Sequence, residues 1–86
     1  MSYTTSKGVL IEVDQRYTDV YRDGARVIAV VEIAEPRTDH KGVERCEITY
    51  RVVVRDGVEL ALTRVQTMDA ARLTDTRLYQ LVEEAR

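Results

Sequence analysis

The sequence contains no Phe, Trp or Asn, and it has one His, one Cys and one Pro among its 86 residues. The single thiol, Cys46, excludes an internal disulfide and any metal site built from several thiolates. No apolar run approaches the roughly 18 residues that span a bilayer, and the polar start of the chain carries no hydrophobic signal core. We therefore expect a cytoplasmic protein that makes no membrane contact.

Neither sign of charge is in large excess, since 13 basic and 15 acidic residues give a net charge of −2. Affinity for a nucleic-acid backbone comes from counterions that surplus Lys and Arg release, so this balance disfavours a general polyanion binder. The four glycines stand singly along the chain, which excludes a Gly-rich phosphate loop. We expect no nucleotide, no cofactor and no small-molecule substrate.

Aliphatic side chains are abundant. Hydrophobic residues make up 44% of the chain, and Val alone occurs 13 times. β-branched side chains favour strands, and a chain of this length fits one domain. We assign the polar residues 1–8 to a flexible N-terminal arm and residues 9–86 to a single α+β domain.

Alternation of apolar and polar residues predicts four strands. The first covers 9–21, the second is the nearly apolar run 26–34, the third covers 45–54 and the fourth covers 58–62. The segment 35–42 contains the only Pro and a Gly, so it is predicted to be a loop. The inward residues of the third strand are Cys46, Ile48, Tyr50, Val52 and Val54.

Two Arg-Asp-Gly sequences, at 22–24 and 55–57, mark the predicted hairpins. We interpret both as three-residue loops in which Gly takes the left-handed conformation. In this register Tyr17 lies opposite Ala29, whereas a two-residue loop at Asp-Gly would split the apolar residues between the faces. The repeated sequence is consistent with an internal duplication or with convergence on the commonest turn chemistry.

The end of the chain changes to a helical period. Thr74 is a suitable N-cap for a helix that continues to the C-terminus. An unbroken helix would expose Leu73, so we expect a separate short turn of helix at 68–73 with a break at Thr74. The predicted fold is α+β, a four-stranded antiparallel β-meander followed by a C-terminal amphipathic α-helix, in the order ββββα. The apolar stripe of that helix is Leu78, Leu81, Val82 and Ala85.

The second face of the predicted sheet also carries apolar side chains. One helix covers only one face of a four-stranded sheet, so these side chains need another cover. Either the segments 1–8 and 35–42 fold over them, or a second copy or another protein binds there. The candidate interface consists of Ile28, Val30, Val53, Ala61 and Val65.

Three arginines share the outward face of the third strand, namely Arg45, Arg51 and Arg55. They suggest an alternative function in which a small protein contacts RNA or DNA. A single-strand platform interleaves such charges with aromatic side chains for base stacking. Here the parity of the strands directs Tyr17 and Tyr50 inward, so the pattern disfavours nucleic acid as the partner.

Catalytic chemistry has little support in the sequence. His40 lies beside Asp39 in the predicted loop, but a base and its orienting group also need a nucleophile, and a metal site needs further ligands. Cys46 has the parity of the buried residues, where a free Cys behaves as a small hydrophobe. We expect a protein that is not an enzyme and has no catalytic, cofactor-binding or metal-binding residues.

The sequence therefore favours a non-enzymatic protein–protein interaction protein or assembly subunit that self-associates, as a homodimer or larger homo-oligomer, through its second sheet face. An accessory protein of a mobile element that acts on a host protein is a further alternative, because fold class alone does not separate these roles. The sequence identifies neither the partner nor the pathway.

Overall fold

The structure, a computed structural model, describes residues 2–20, 26–61 and 63–83. Within these ranges the chain forms ten strands and one short helix, so the α+β meander with a C-terminal amphipathic helix is wrong. The strands are β1 (Ser2–Thr4), β2 (Leu10–Glu12), β3 (Arg16–Asp19), β4 (Arg26–Ile33), β5 (Arg37–Thr38), β6 (Glu44–Arg45), β7 (Glu47–Arg55), β8 (Val58–Glu59), β9 (Gln66–Asp69) and β10 (Tyr79–Glu83), and helix α1 is Ala70–Leu73.

One six-stranded antiparallel sheet forms the body of the domain. Its order is β10-β3-β4-β7-β8, and β9 also pairs with β7. The two short strands β8 and β9 therefore share one side of β7, where β8 pairs with its C-terminal end and β9 with its N-terminal half. Two further hairpins, β1-β2 and β5-β6, lie outside this sheet.

The first predicted strand is two strands in different sheets. Asp14 has a positive φ of 76°, and the chain turns there between β2 and β3. The side chain of Gln15 stabilises this turn, because its Oε1 accepts the Glu12 N–H at 2.9 Å. Alternating polarity does not separate one long strand from two strands joined by such a turn. The segment 1–8 contributes β1, which pairs with β2; its predicted looseness stays a prediction.

The second hairpin has a two-residue turn, and the three-residue loop predicted there is wrong. Arg55 pairs with Val58, which leaves only Asp56 and Gly57 in the turn. Both residues have positive φ, 51° and 81°, as a type I′ turn requires. Asp tolerates this conformation better than most residues, so a two-residue Asp-Gly turn is accessible.

The register between the first two predicted strands also differs from the prediction. Tyr17 pairs with Ile28 rather than Ala29. The predicted loop at 22–24 itself lies outside the described residues. Two β-bulges between β4 and β7 shift the register again, one between Val27 and Ile28 and one between Val30 and Glu32. Parity counting along a continuous strand does not anticipate such bulges.

The C-terminal segment forms a strand instead of the predicted helix. A short helix ends before Thr74 as predicted, but α1 covers only Ala70–Leu73, because Met68 and Asp69 belong to β9. Thr74 is the C-cap of α1 and not the predicted N-cap of a following helix. Ala85 of the predicted stripe lies outside the described residues. The chain then enters β10, which pairs antiparallel with β3. An isolated helix of this length is marginal in water, whereas a strand at this position gains a ladder with β3.

The core lies on one face of the large sheet and is closed by β2 and α1. Tyr17, Ile28 and Val52 form a row across β3, β4 and β7. Ile11 from β2 and Leu73 from α1 are fully buried against this sheet. Four of the five predicted inward residues of the third strand, Cys46, Ile48, Tyr50 and Val52, are buried in the same cluster, which makes the chain a single small domain. Val54 is only half-buried, because the bulge at Val53 shifts the register before it.

Candidate binding groove at the β10 edge

A surface groove of about 390 Å³ runs along β10. Its walls come from the start of β2, the end of β3, the end of α1 and β10 itself. The floor includes Tyr17, Leu73 and Tyr79, which are buried. Grooves with apolar walls near a few polar groups are the usual binding sites of proteins, so this groove is a candidate site.

Exposed apolar side chains surround the groove. Val9, Leu10, Val20 and Leu81 line it, and Val82 follows on β10. Each of these five residues leaves between 40% and 56% of its surface exposed. Single exposed apolar residues are normal, but a cluster of them beside a groove is typical of an interaction site. We refer to these five residues as the edge patch.

The turn before β10 is organised by Asp75. Its carbonyl oxygen accepts the N–H groups of Leu78 and Tyr79, at 2.9 and 3.0 Å. Its carboxylate accepts the Arg77 N–H at 3.0 Å and two bonds from the Arg77 guanidinium, at 3.1 and 3.0 Å. These bonds from Arg77 hold the pKa of Asp75 below its ordinary value. The turn therefore fixes where β10 begins.

A buried ion pair supports the other side of the same edge. Asp19 pairs in register with Tyr79 of β10 and is fully buried. Its carboxylate accepts the Arg26 Nε–H at 2.6 Å. A buried carboxylate is stable only when paired and hydrogen-bonded, so the end of β3 and the start of β4 depend on Arg26.

A more polar cavity of about 510 Å³ adjoins the groove and shares Val9, Thr74 and Thr76 with it. Lys7 and Arg77 line this cavity together with Asp75. The Arg77 side chain is 87% exposed. The apolar groove therefore continues into a region where two cations surround one carboxylate.

β10 is an edge strand in the described part of the chain, because it pairs only with β3. Its residues include no Pro, Lys or Arg, and its single charge is Glu83. Proteins usually block edge strands with charged residues, proline or a covering element. The central residues of β10 have no such block, so this edge can accept another strand.

The predicted five-residue interface is not one surface. Ile28 and Val30 are fully buried in the core, because their pairing partners are Val52 and Tyr50. Val53 is buried at the bulge in β7, whereas Ala61 and Val65 are exposed. The outward parity assigned to Ile28 and Val30 depended on a register that the bulges change.

The three arginines do not form one patch. Arg45 lines a cavity of about 320 Å³ with Arg37, Glu47 and Asp69. Arg51 lines a different cavity, beside Glu59. Arg55 is exposed at the end of β7.

Arg45 is also held by two carboxylates. Its guanidinium donates to Asp39 at 3.0 Å and to Asp69 at 3.4 Å. Bonds from the Val43 N–H and from Arg45 lower the pKa of Asp39, and the same pairing raises the pKa of Arg45. These carboxylates offset much of the positive charge that a phosphate backbone would meet.

The remaining chemically active side chains are apart from the groove. His40 is exposed in the turn between β5 and β6. Cys46 is buried and its thiol donates to the Ala34 carbonyl oxygen at 3.3 Å. Burial raises the pKa of this thiol, which keeps it in the unreactive protonated form. Among the described residues no three His, Cys, Asp or Glu side chains form a group that could hold a metal ion.

The residues of the groove carry a weak sequence signal. On the predicted helix Leu81 belongs to the buried stripe, and Val20 has no assigned role. The run Tyr79 to Val82 contains aromatic and β-branched residues after the polar turn 74–77, which is a strand signal. Over so few residues the sequence fits either a helix or a short strand. The segment is a strand because it pairs with β3.

No helix in the described part of the chain is long and apolar enough to span a membrane. No protein-family model, curated protein or solved structure matches this chain. The proposed function therefore depends on the geometry of the groove and of the β10 edge.

Proposed function

We propose that this chain is a non-enzymatic protein–protein interaction protein that binds an extended segment of another polypeptide along β10. The bound segment adds a strand to the large sheet and places apolar side chains in the groove. Strand addition of this kind takes its affinity from main-chain hydrogen bonds and its specificity from pockets for alternate side chains. The observation that carries this proposal is the edge strand β10 beside the edge patch.

The position of the binding surface differs from the one expected from the sequence. The five residues predicted for the second sheet face do not form one surface, because Ile28 and Val30 are part of the core. The edge patch instead combines residues of β2 and β10 with Val9, which precedes β2, and Val20, which follows β3. We therefore propose that this interaction protein binds its partner at the β10 edge and not at the second sheet face.

A peptide display selection tests this function without a known partner. The wild-type protein is immobilised sparsely so that its molecules do not meet, and bound peptides are rescreened on L81K and V58K variants. V58K is the matched control, since Val58 is an exposed apolar residue of a strand on the far side of the sheet. We expect peptides with alternating apolar residues that lose binding to L81K and keep binding to V58K. Failure to enrich peptides, or equal binding to L81K, would contradict the proposal.

A further inference from the structure

We propose that the strand that binds β10 is β10 of a second copy, so that the chain forms a two-fold symmetric dimer through this edge. This inference rests on the proposed function and names its partner. A two-fold axis requires one surface to be complementary to itself. Two features of the β10 edge meet this requirement: its backbone bonding pattern and its apolar patch.

The hydrogen-bond phase of β10 selects the register of the dimer. The bond from the Val20 N–H to the Leu78 carbonyl oxygen fixes the phase of the ladder between β3 and β10. Because antiparallel ladders alternate, both Tyr79 and Leu81 direct their backbone groups away from β3. The Tyr79 N–H is already bonded to the Asp75 carbonyl oxygen. Leu81 is therefore the residue whose backbone N–H and carbonyl oxygen can both form hydrogen bonds with a second strand.

An axis at Leu81 pairs Leu81 with the partner's Leu81. Two main-chain bonds then form, each from one Leu81 N–H to the opposite Leu81 carbonyl oxygen. A register shift in β10 lies between Leu81 and Glu83, so the ladder of the dimer is short. A short ladder predicts a weak dimer, with dissociation in the micromolar range.

The apolar patch supplies the rest of the contact. Leu10, Val20 and Leu81 line the groove beside β10, so the pairing of two β10 strands brings the two edge patches close to each other. Apolar area that is removed from water stabilises an interface. The same patch on a monomer would leave these side chains in water.

Sedimentation velocity over a range of micromolar concentrations tests the dimer. We expect the wild type and V58K to show the same monomer–dimer equilibrium, and L81K to weaken it about tenfold or more. Circular dichroism and thermal unfolding check that L81K is folded. A wild type that stays monomeric, or a dimer that tolerates L81K, overturns the proposal. If the monomer still binds peptides that L81K loses, the proposed function stands while the dimer fails.

A proline at position 81 tests the register without adding a charge. L81P removes the Leu81 N–H that points away from β3, and proline is tolerated at such positions of edge strands. The dimer then loses both of its main-chain bonds, so we expect it to weaken about tenfold. A folded L81P variant that associates as strongly as the wild type contradicts the register.

Discussion

The two edges of the large sheet differ in how much of their backbone and apolar surface is open. The edge at β10 is one five-residue strand with apolar residues at its centre and a groove beside it. The opposite edge consists of two strands, β8 with two residues and β9 with four, separated by the segment 60–65. Short and interrupted edges resist strand addition, so β10 is the edge that is more open to another strand.

The opposite edge is also occupied by contacts within the chain. The Asp69 carboxylate at the end of β9 accepts the Ala71 N–H at 2.8 Å and a bond from Arg45. Next to β8, the Thr63 hydroxyl donates to the Val52 carbonyl oxygen at 2.8 Å. An exposed apolar residue such as Val58 therefore does not by itself mark a binding edge. The edge patch combines exposed apolar residues with a strand that has room for a partner.

The largest expected effect comes from the buried ion pair beneath β10. R26A leaves the fully buried Asp19 carboxylate without its guanidinium, which costs about 3 to 5 kcal/mol in unfolding free energy. R77A removes the guanidinium from an exposed pair, so its effect on stability is expected to be much smaller. Urea unfolding of the two variants measures both values. Equal losses would mean that Asp19 is not the buried anchor of this edge.

The floor of the groove is expected to be the next most sensitive. L73A removes a fully buried side chain that belongs both to the core and to the groove, and it costs about 2 to 5 kcal/mol. V58A truncates a side chain that is 62% exposed and changes stability by about 0.5 kcal/mol or less. Thermal unfolding of the pair checks the difference. Similar melting temperatures for both variants would contradict the assigned core.

A substitution at the β8 turn weakens the domain without affecting binding at β10. G57A places a Cβ at a φ of +81° with no atom within 4 Å of it, so the cost is conformational, about 1 to 2 kcal/mol. We expect lower stability in urea and unchanged self-association at concentrations where the variant is folded. A dimer that weakens with G57A would place the contact at the β8 edge.

Alkaline pH acts on the hydrogen bond between β1 and β6, outside both edges of the large sheet, and has the smallest expected effect. The Tyr3 hydroxyl donates to the Glu44 carboxylate at 2.7 Å, and this bond raises the pKa of Tyr3 from 10.0 to about 12. The unfolded chain therefore releases this proton first, so stability is full below pH 10 and falls as pH rises from 10 towards 12. The unfolding free energies of the wild type and of Y3F are measured as a function of pH. The excess stability of the wild type over Y3F should decline between pH 10 and about 12. A flat difference would show that Tyr3 and Glu44 are not paired.

Local patterns predict some elements of this fold because their causes are local. The alternation of Cys46, Ile48, Tyr50 and Val52 predicts β7 and its buried face. The predicted break at Thr74, in contrast, depends on a C-terminal helix that the structure replaces with β10. Bulges, registers and the split of the first strand depend on contacts between distant residues. The faces assigned to Ile28 and Val30 are wrong for this reason.

The sequence pattern does not predict the edge patch, because its residues come together only in the tertiary structure. Leu10 lies on β2, Val20 directly follows β3, and Leu81 lies on β10. The C-terminal stripe fits a helix, and only the pairing of β10 with β3 turns Leu81 into a residue of a sheet edge. Local propensity at such a short segment yields to tertiary contacts.

Hydrogen exchange of backbone amides at low and high protein concentration tests most directly whether β10 is the binding edge. Amides that enter a ladder between two copies gain protection as the dimer forms. We expect the Leu81 amide to exchange more slowly at high concentration and the Val58 and Glu59 amides of β8 to exchange at the same rate throughout. Protection that increases at β8 while β10 is unchanged, or no dependence on concentration at either edge, would contradict the account.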